Sequence, residues 1–228
     1  MRPARARAAP ATARDPHRVD EVQLPPLSAT VGEGVEAVLA ARRSRRSFAD
    51  APVSSEQLAR LLWAAQGISG PEGERTAPSA GRRYPLGALV AVGWVTGVPC
   101  GVHRYRPDTH SLAPVASGDR RGDLGAAAID EQPWVGRAPA VLAIDAELRG
   151  IVEHFAAQPP SGVRGRRSAL LEAGAAAQNV LLVTEALGLG AVLVAGFDDD
   201  GVAAALDLPD GREPLALVAV GTCPARGH

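Results

Sequence analysis

Apolar positions along the chain fall into two rhythms. Val35, Val38 and Leu39 share one face of a helix read over Glu33 to Ala41. A second helix opens at Ser54-Ser55-Glu56-Gln57, where Ser54 and Gln57 have capping-box spacing, and it closes at Gly67. Residues 68–85, rich in Gly, Pro and Ser, form a loop. The mostly apolar run Leu86 to Val95 predicts a buried strand, and Val102 to Arg106 with Leu112 to Val115 predict a hairpin around Pro107-Asp108-Thr109-His110. A helix near Asp119 to Ile129 leads to a strand over Ala138 to Ile144, then a loop-like stretch at 156–165. The longest helix runs from about Arg167 to Leu187, with Leu170, Leu171, Gly174, Gln178, Leu181 and Leu182 at three-to-four spacing and Gly188 as its stop. A strand at Ala191 to Ala195, a helix over Asp199 to Leu206 and a strand at Pro214 to Val220 complete the chain. Helices and strands alternate without a βαβ beat, so the fold class is α+β. The Ala and Gly content of the long helix allows close approach of another element, as at a dimer interface.

Composition narrows the chemistry. With 228 residues, 46% of them hydrophobic, the chain can bury a core without metal or disulfide support. Its net charge is −1, which supplies no global attraction to nucleic acid or membrane. The first 18 residues hold five Arg against Asp15 alone; residues 1–28 read as a disordered Arg-rich leader, followed by a single domain over 29–228. The leader has no apolar core of the secretory type, and no uninterrupted apolar run reaches membrane-spanning length. The chain has no lysine, which excludes a P-loop, a Schiff-base enzyme and a lysine general base. Cys100 and Cys223 form no CxxC pair, consistent with a reducing, cytoplasmic setting. The five His show no zinc spacing, so no metal is expected, and Ser44, Ser79 and Ser168 sit in no GxSxG context. Gly188-Leu189-Gly190 follows a helix and lacks the third glycine of a dinucleotide fingerprint.

Three segments carry candidate chemistry. Arg42-Arg43-Ser44-Arg45-Arg46 offers bidentate guanidinium contacts and a hydroxyl donor, which suit a phosphate, a solvated charged face or a nucleic-acid surface. Arg75 to Pro85 places small residues between two prolines, letting backbone polar groups lie against a flat ligand edge or an ordinary surface loop form. Val194 to Asp200 is a strand running through small residues into a helix start.

In this order RRSRRSF, RTAPSAGRRYPL, GVHRYRPDTHSL, Gly118-Asp119, APAVLAI, LLEAGAAAQN and ALGLGAVLVAGFDD, spread over roughly residues 30–225, resemble the nitroreductase superfamily of flavin enzymes. Within it the likeness is to the SagB-type dehydrogenase branch, which includes the azoline oxidases of ribosomal peptide clusters. The resemblance implies a mostly antiparallel sheet flanked by helices, and FMN at a homodimer interface. It implies that Arg42, Arg43 and Ser44 hold the FMN phosphate and nearby polar atoms. Arg46 would reach the ribityl chain or pyrimidine end, and Arg226 would assist at the phosphate. Pro78, Ser79, Ala80 and Gly81 would line the isoalloxazine from the partner subunit. Arg82 and Arg83 depart from the small or apolar residues that usually follow Ser-Ala-Gly in the family; facing the cavity they would favour an anionic substrate, and otherwise they lie at the surface. Arg83 and Tyr84 are the candidate substrate contacts. Ala195 and Gly196 would present backbone N–H to flavin N5, and Gln132 an amide to the pyrimidine edge.

The sequence departs from the azoline dehydrogenases at their catalytic Lys-Tyr pair, whose place is taken by His154-Phe155. It departs again at Gly165-Arg166-Arg167, where the family has Gly-Tyr-Arg, and at Ala175, where a His usually follows Glu-Ala-Gly. His154 is the candidate base, since an imidazole titrates near pH 6.5. The readings that remain are a dehydrogenase acting on a peptide-derived or other small substrate with O2 as acceptor, an NAD(P)H-dependent nitro or quinone reductase, and a non-catalytic flavin-binding subunit of a biosynthetic complex. Other proteins of a biosynthetic cluster are candidate partners.

Overall fold

In the computed structural model, residues 34–130 and 132–224 are described; the expected leader, Glu33 and Arg226 lie outside them. Two apolar runs become the middle of a sheet. β2 (Leu86–Val92) and β6 (Ala140–Glu147) are buried along almost their whole length, because helices cover both faces. With β4 (Gly101–Arg106), β5 (Ser111–Ser117), β7 (Leu189–Val194) and β8 (Arg212–Thr222) they form a six-stranded sheet in the order β5-β4-β2-β6-β8-β7. All neighbours in it are antiparallel. The expected nitroreductase-like α+β architecture is therefore present. β1 (Val53–Ser54) and β3 (Val95–Thr96) add a short parallel pair.

Period-two alternation splits the core into two layers. Val90, Leu142 and Ile144 pack with Leu58 and Leu61 of α2 (Ser55–Gln66) and with Ala176, Ala177 and Val180 of α6 (Arg164–Ala186). Leu89, Val141 and Leu217 pack on the other face. Their partners there are Leu124 of α3 (Arg121–Ala127), Val135 of α4 (Pro133–Arg137) and Val202 of α7 (Asp199–Ala205). α1 (Val35–Ala41) precedes these elements. The capping box at α2 forms as its spacing predicts, with Ser54 Oγ accepting from Gln57 N–H and Gln57 Oε1 accepting from Ser54 N–H.

Boundaries shift where side-chain chemistry intervenes. The strand expected to reach Val95 stops at Val92, because Gly93 and Trp94 both donate N–H to Pro139 O. α4 and α5 (Leu148–His154) are additional helices. α5 starts directly after β6, where the Glu147 carboxylate caps it by accepting from Arg149 and Gly150 N–H. β6 continues past Ile144 through Asp145, whose side chain is 0% exposed. Arg104 on β4 and Arg212 on β8 pair with that carboxylate across the sheet. Gly87, opposite Asp145 on β2, makes the arrangement possible: a Cβ there would lie 2.6–2.8 Å from the carboxylate and both guanidinium groups.

Gly87→Ala forces this ionic group apart and is expected to lower stability by about 1–3 kcal/mol in urea titrations. Wild-type stability in the variant would contradict the packing described.

Candidate active site

The chain leaving α1 runs along the free edge of β7. Ser44 forms a parallel bridge with Ala191, and Arg45 N–H donates to Ala191 O at 2.8 Å. The cationic segment is thereby fixed as an extra backbone layer on the outermost strand. Arg42 is half-buried, whereas Ser44 and Arg46 are exposed. Arg43 turns back, its Nη1 donating to Ala40 O at 2.9 Å and Arg42 O at 2.8 Å, so part of its guanidinium closes the end of α1. The Arg46 guanidinium lies 5.4 Å from the ring centroid of Trp134, a cation–π contact. Among the described residues, the buried side-chain nitrogens without a partner are Arg45 Nε and Trp134 Nε1. Trp134 Nε1 lies in this region, whereas the Arg45 side chain turns the other way, into a hollow it lines with Glu185, Gly188 and Cys223.

β7 ends at the same region. Ala195 and Gly196 are exposed, and among the described residues their N–H groups have no hydrogen-bond partner. The segment before α4 holds them: Ile129 N–H donates to Gly196 O at 3.0 Å, and Gln132 Nε2 donates to Gly196 O at 3.2 Å and Ile129 O at 2.8 Å. Gln132 thus directs its NH2 to the protein. Trp134, two residues on, completes a chain of contacts from Arg46 to Gly196.

The loop after α2 forms a second group. It turns through left-handed backbone at Gly81 (φ 61°), Arg82 (φ 53°) and Tyr84 (φ 46°), a conformation costing of order 1 kcal/mol or more for each non-glycine residue. Internal hydrogen bonds hold it: Ser79 Oγ accepts from Tyr84 N–H at 2.8 Å, and Ala80 N–H donates to Glu172 Oε1 on α6 at 2.7 Å. Glu172 is 5% exposed; burial pushes its carboxyl above the usual range, opposed by the Ala80 N–H and the Ser79 hydroxyl. Pro78, Ser79 and Ala80 border a small hollow of about 170 Å³ with Ser168 and Leu171.

His154, the last residue of α5, comes to this loop. A Cβ on Gly81 would stand 3.2 Å from His154 Nε2 and 3.5 Å from Phe155 Cζ. The exposed imidazole packs edge-on against Phe155, ring centroids 4.6 Å apart. Arg82 pairs with Glu72 at 2.9 Å and Glu74 at 3.4 Å, and Arg83 is exposed. Tyr84 is half-buried, with the Arg75 guanidinium 5.5 Å from its ring centroid. Arg166, standing where the azoline dehydrogenases carry Tyr, pairs with Glu213 at 2.7 Å.

The predicted residues therefore assemble as two groups, one on β7 and one on α6, and no hydrogen bond or ion pair among the described residues joins them. Glu172 and Trp134 are site residues that motif reading passes over. Glu172 was legible as an acid on the otherwise apolar, inward stripe of α6, beside Ala169, Ala173 and Ala176. No group of three or more metal-ligating side chains occurs among the described residues, and no described helix is long and apolar enough to cross a membrane. A separate cavity of about 440 Å³ lies between α2 and the β4–β5 hairpin, lined by none of the predicted residues.

The antiparallel sheet with helices on both faces, the cationic segment on its edge and the Ser-Ala-Gly turn held against the long helix make up the nitroreductase fold. The nitroreductase family model matches residues 39–222, and the chain belongs to that family. A nitroreductase-family protein of Methanocaldococcus jannaschii is 36% identical over 201 residues, covering 88% of this chain and 96% of that protein. Another, from Ralstonia eutropha JMP134, is similar in structure with a TM-score of 0.70 at 29% identity, covering 89% of each chain. A chain of the Escherichia coli microcin synthetase McbBCD complex, solved with truncated pro-MccB17 bound, shares the fold with a TM-score of 0.65 at 24% identity. The likeness covers 90% of this chain and 79% of that one.

Because the folded state holds the Glu172 proton to higher pH than the unfolded chain does, this group's contribution to stability is full below the ordinary glutamate range. It is lost as pH rises through the raised value. Glu172→Gln removes that loss, so its stability relative to wild type should climb as pH rises above the ordinary glutamate range. Urea titrations over that rise in pH test this; a difference independent of pH would contradict it.

Proposed function

We propose that this protein is an FMN-dependent dehydrogenase of the SagB type, acting as a homodimer on a peptide-derived or other small biosynthetic substrate. The two groups of residues are the two halves of one site, the loop being contributed across the subunit interface. FMN held here would supply a two-electron acceptor for the substrate's hydride. The chain's own residues do the rest. Arg42 and Ser44 hold the phosphate by charge-assisted and neutral hydrogen bonds. Arg46, fixed on Trp134, adds positive charge where a reduced flavin is anionic. The free Ala195 and Gly196 N–H groups orient the ring, and Gln132 Oε1 remains available as an acceptor at its edge. Arg83 and Tyr84 border the substrate, and Arg226 joins the phosphate contacts.

The observation that carries the dehydrogenase reading is His154 Nε2 beside Gly81. Oxidation of a substrate C–H or N–H pair releases one hydride and one proton, and His154 is positioned at the flavin loop to take the proton at Nε2. O2 would be the terminal acceptor of the two electrons. The fold shared with a microcin synthetase chain and the SagB-like motifs support a peptide-derived substrate and biosynthetic partners, in a cytoplasmic setting.

Two variants test the assignments. Arg42→Ala should weaken FMN binding by about 2–3 kcal/mol, roughly 30- to 140-fold in Kd by fluorescence titration, and unchanged affinity would remove Arg42 from the site. His154→Ala should keep FMN affinity while slowing anaerobic reduction of bound FMN by an azoline-bearing peptide about 100-fold or more. Reduction by NADPH with turnover of a nitroaromatic, and none by the peptide, would replace the dehydrogenase reading with a reductase.

A further inference from the structure

Of the three polar residues in the motif LLEAGAAAQN, Glu172 and Asn179 are seven apart and fall on the same face of α6, two turns from each other. Both reach the loop that carries Pro78 to Gly81, with opposite polarity. Asn179 Nδ2 donates to Thr76 O at 3.1 Å, and to Ala64 O near the end of α2 at 3.3 Å. Glu172 Oε1 accepts from Ala80 N–H at 2.7 Å. The five residues from Thr76 to Ala80 are therefore gripped at their carbonyl end and at their amide end by one rigid helix.

We propose that Glu172 and Asn179 are positioning residues, a two-point clamp that sets the flavin loop in its binding shape. This rests on the FMN reading of that loop. Left-handed backbone at Gly81, Arg82 and Tyr84 persists only while the surrounding contacts determine it, and Ala80 is the residue immediately before that turn. Arg82 contributes an exposed ion pair, which is a weak restraint. The bond to Glu172 is short, 2.7 Å, and its carboxyl is almost wholly dehydrated, so it is the stronger restraint. Removing the carboxylate leaves the Ala80 N–H without its partner and releases the turn while α6 stays packed through Ala169, Ala173, Ala176 and Ala177. The glutamate acts through the loop rather than on the reacting atoms.

The test compares Glu172→Ala, Glu172→Gln and Asn179→Ala with wild type. FMN affinity is read by fluorescence, and loop order in cofactor-free protein by hydrogen exchange across residues 76–84. Glu172→Ala and Asn179→Ala should each raise the FMN Kd about tenfold or more and speed exchange in 76–84, with exchange in the rest of α6 unchanged. Glu172→Gln keeps an acceptor oxygen for Ala80 N–H and should recover most of the lost affinity. Wild-type affinity and exchange in both Glu172→Ala and Asn179→Ala would overturn the clamp. So would equal weakening by Glu172→Ala and Glu172→Gln. Should Glu172→Ala fail to fold, Asn179→Ala and the glutamine variant decide the question. Failure of wild type to bind FMN at all would instead strike the flavin reading, while the exchange data would still report on the clamp.

Discussion

One backbone hydrogen bond places everything that follows it: Arg45 N–H to Ala191 O on the outer edge of β7. A six-stranded antiparallel sheet has two edges, and an exposed edge presents unpaired N–H and C=O groups. Here part of one edge is covered by the chain emerging from α1, and that chain happens to be the most cationic stretch of the described residues. Its position determines that Arg46 meets Trp134, and that Arg42 and Ser44 lie along the strand whose far end is Ala195-Gly196. Without that edge pairing, four guanidinium groups so close in sequence would repel one another into solvent. With it, Arg43 folds back onto α1, Arg45 turns toward Cys223, and Arg46 is held against Trp134 beside the segment that bonds Gly196 O, where the Ala195 and Gly196 N–H groups are unpaired among the described residues.

The second constraint is α6. Its small-residue face lets it sit against the sheet and α2, while the polar residues on it reach sideways to order the Ser-Ala-Gly turn. One helix thus joins the stability of the core to the shape of a loop whose backbone is unfavourable in isolation. That coupling explains why a buried carboxylate is kept at a position where an apolar side chain would pack more cheaply. The exposed Leu170 and Leu171 on the same helix, the latter 70% accessible, are apolar surface of the kind a subunit interface covers.

Much of this was legible before any coordinates. The capping box at Ser54, the hairpin around Pro107 and the Gly188 stop carry local signals strong enough to fix their elements, and the ordered motifs led to the right fold. What the sequence concealed was conditional on tertiary contact. β6 runs on through Asp145 only because two arginines meet it over Gly87. α5 follows β6 without a break, and its cap is a glutamate rather than one of the usual N-cap residues. His154 could be singled out by its place in the chain, but its approach to Gly81 arises from the packing of α5 against the loop. Glu172 belongs to a motif whose family likeness was visible, yet its partner is a backbone amide 92 residues away, which no local pattern encodes.

The central claim is that the cationic strand and the small-residue loop together hold one flavin per chain. The most direct measurement is the absorbance spectrum of the purified protein before and after heat release, with the released chromophore identified chromatographically. The account predicts FMN at close to one per chain. A colourless protein that also fails to take up added FMN would contradict it, and the Arg42–Arg46 segment would then require a different anionic ligand.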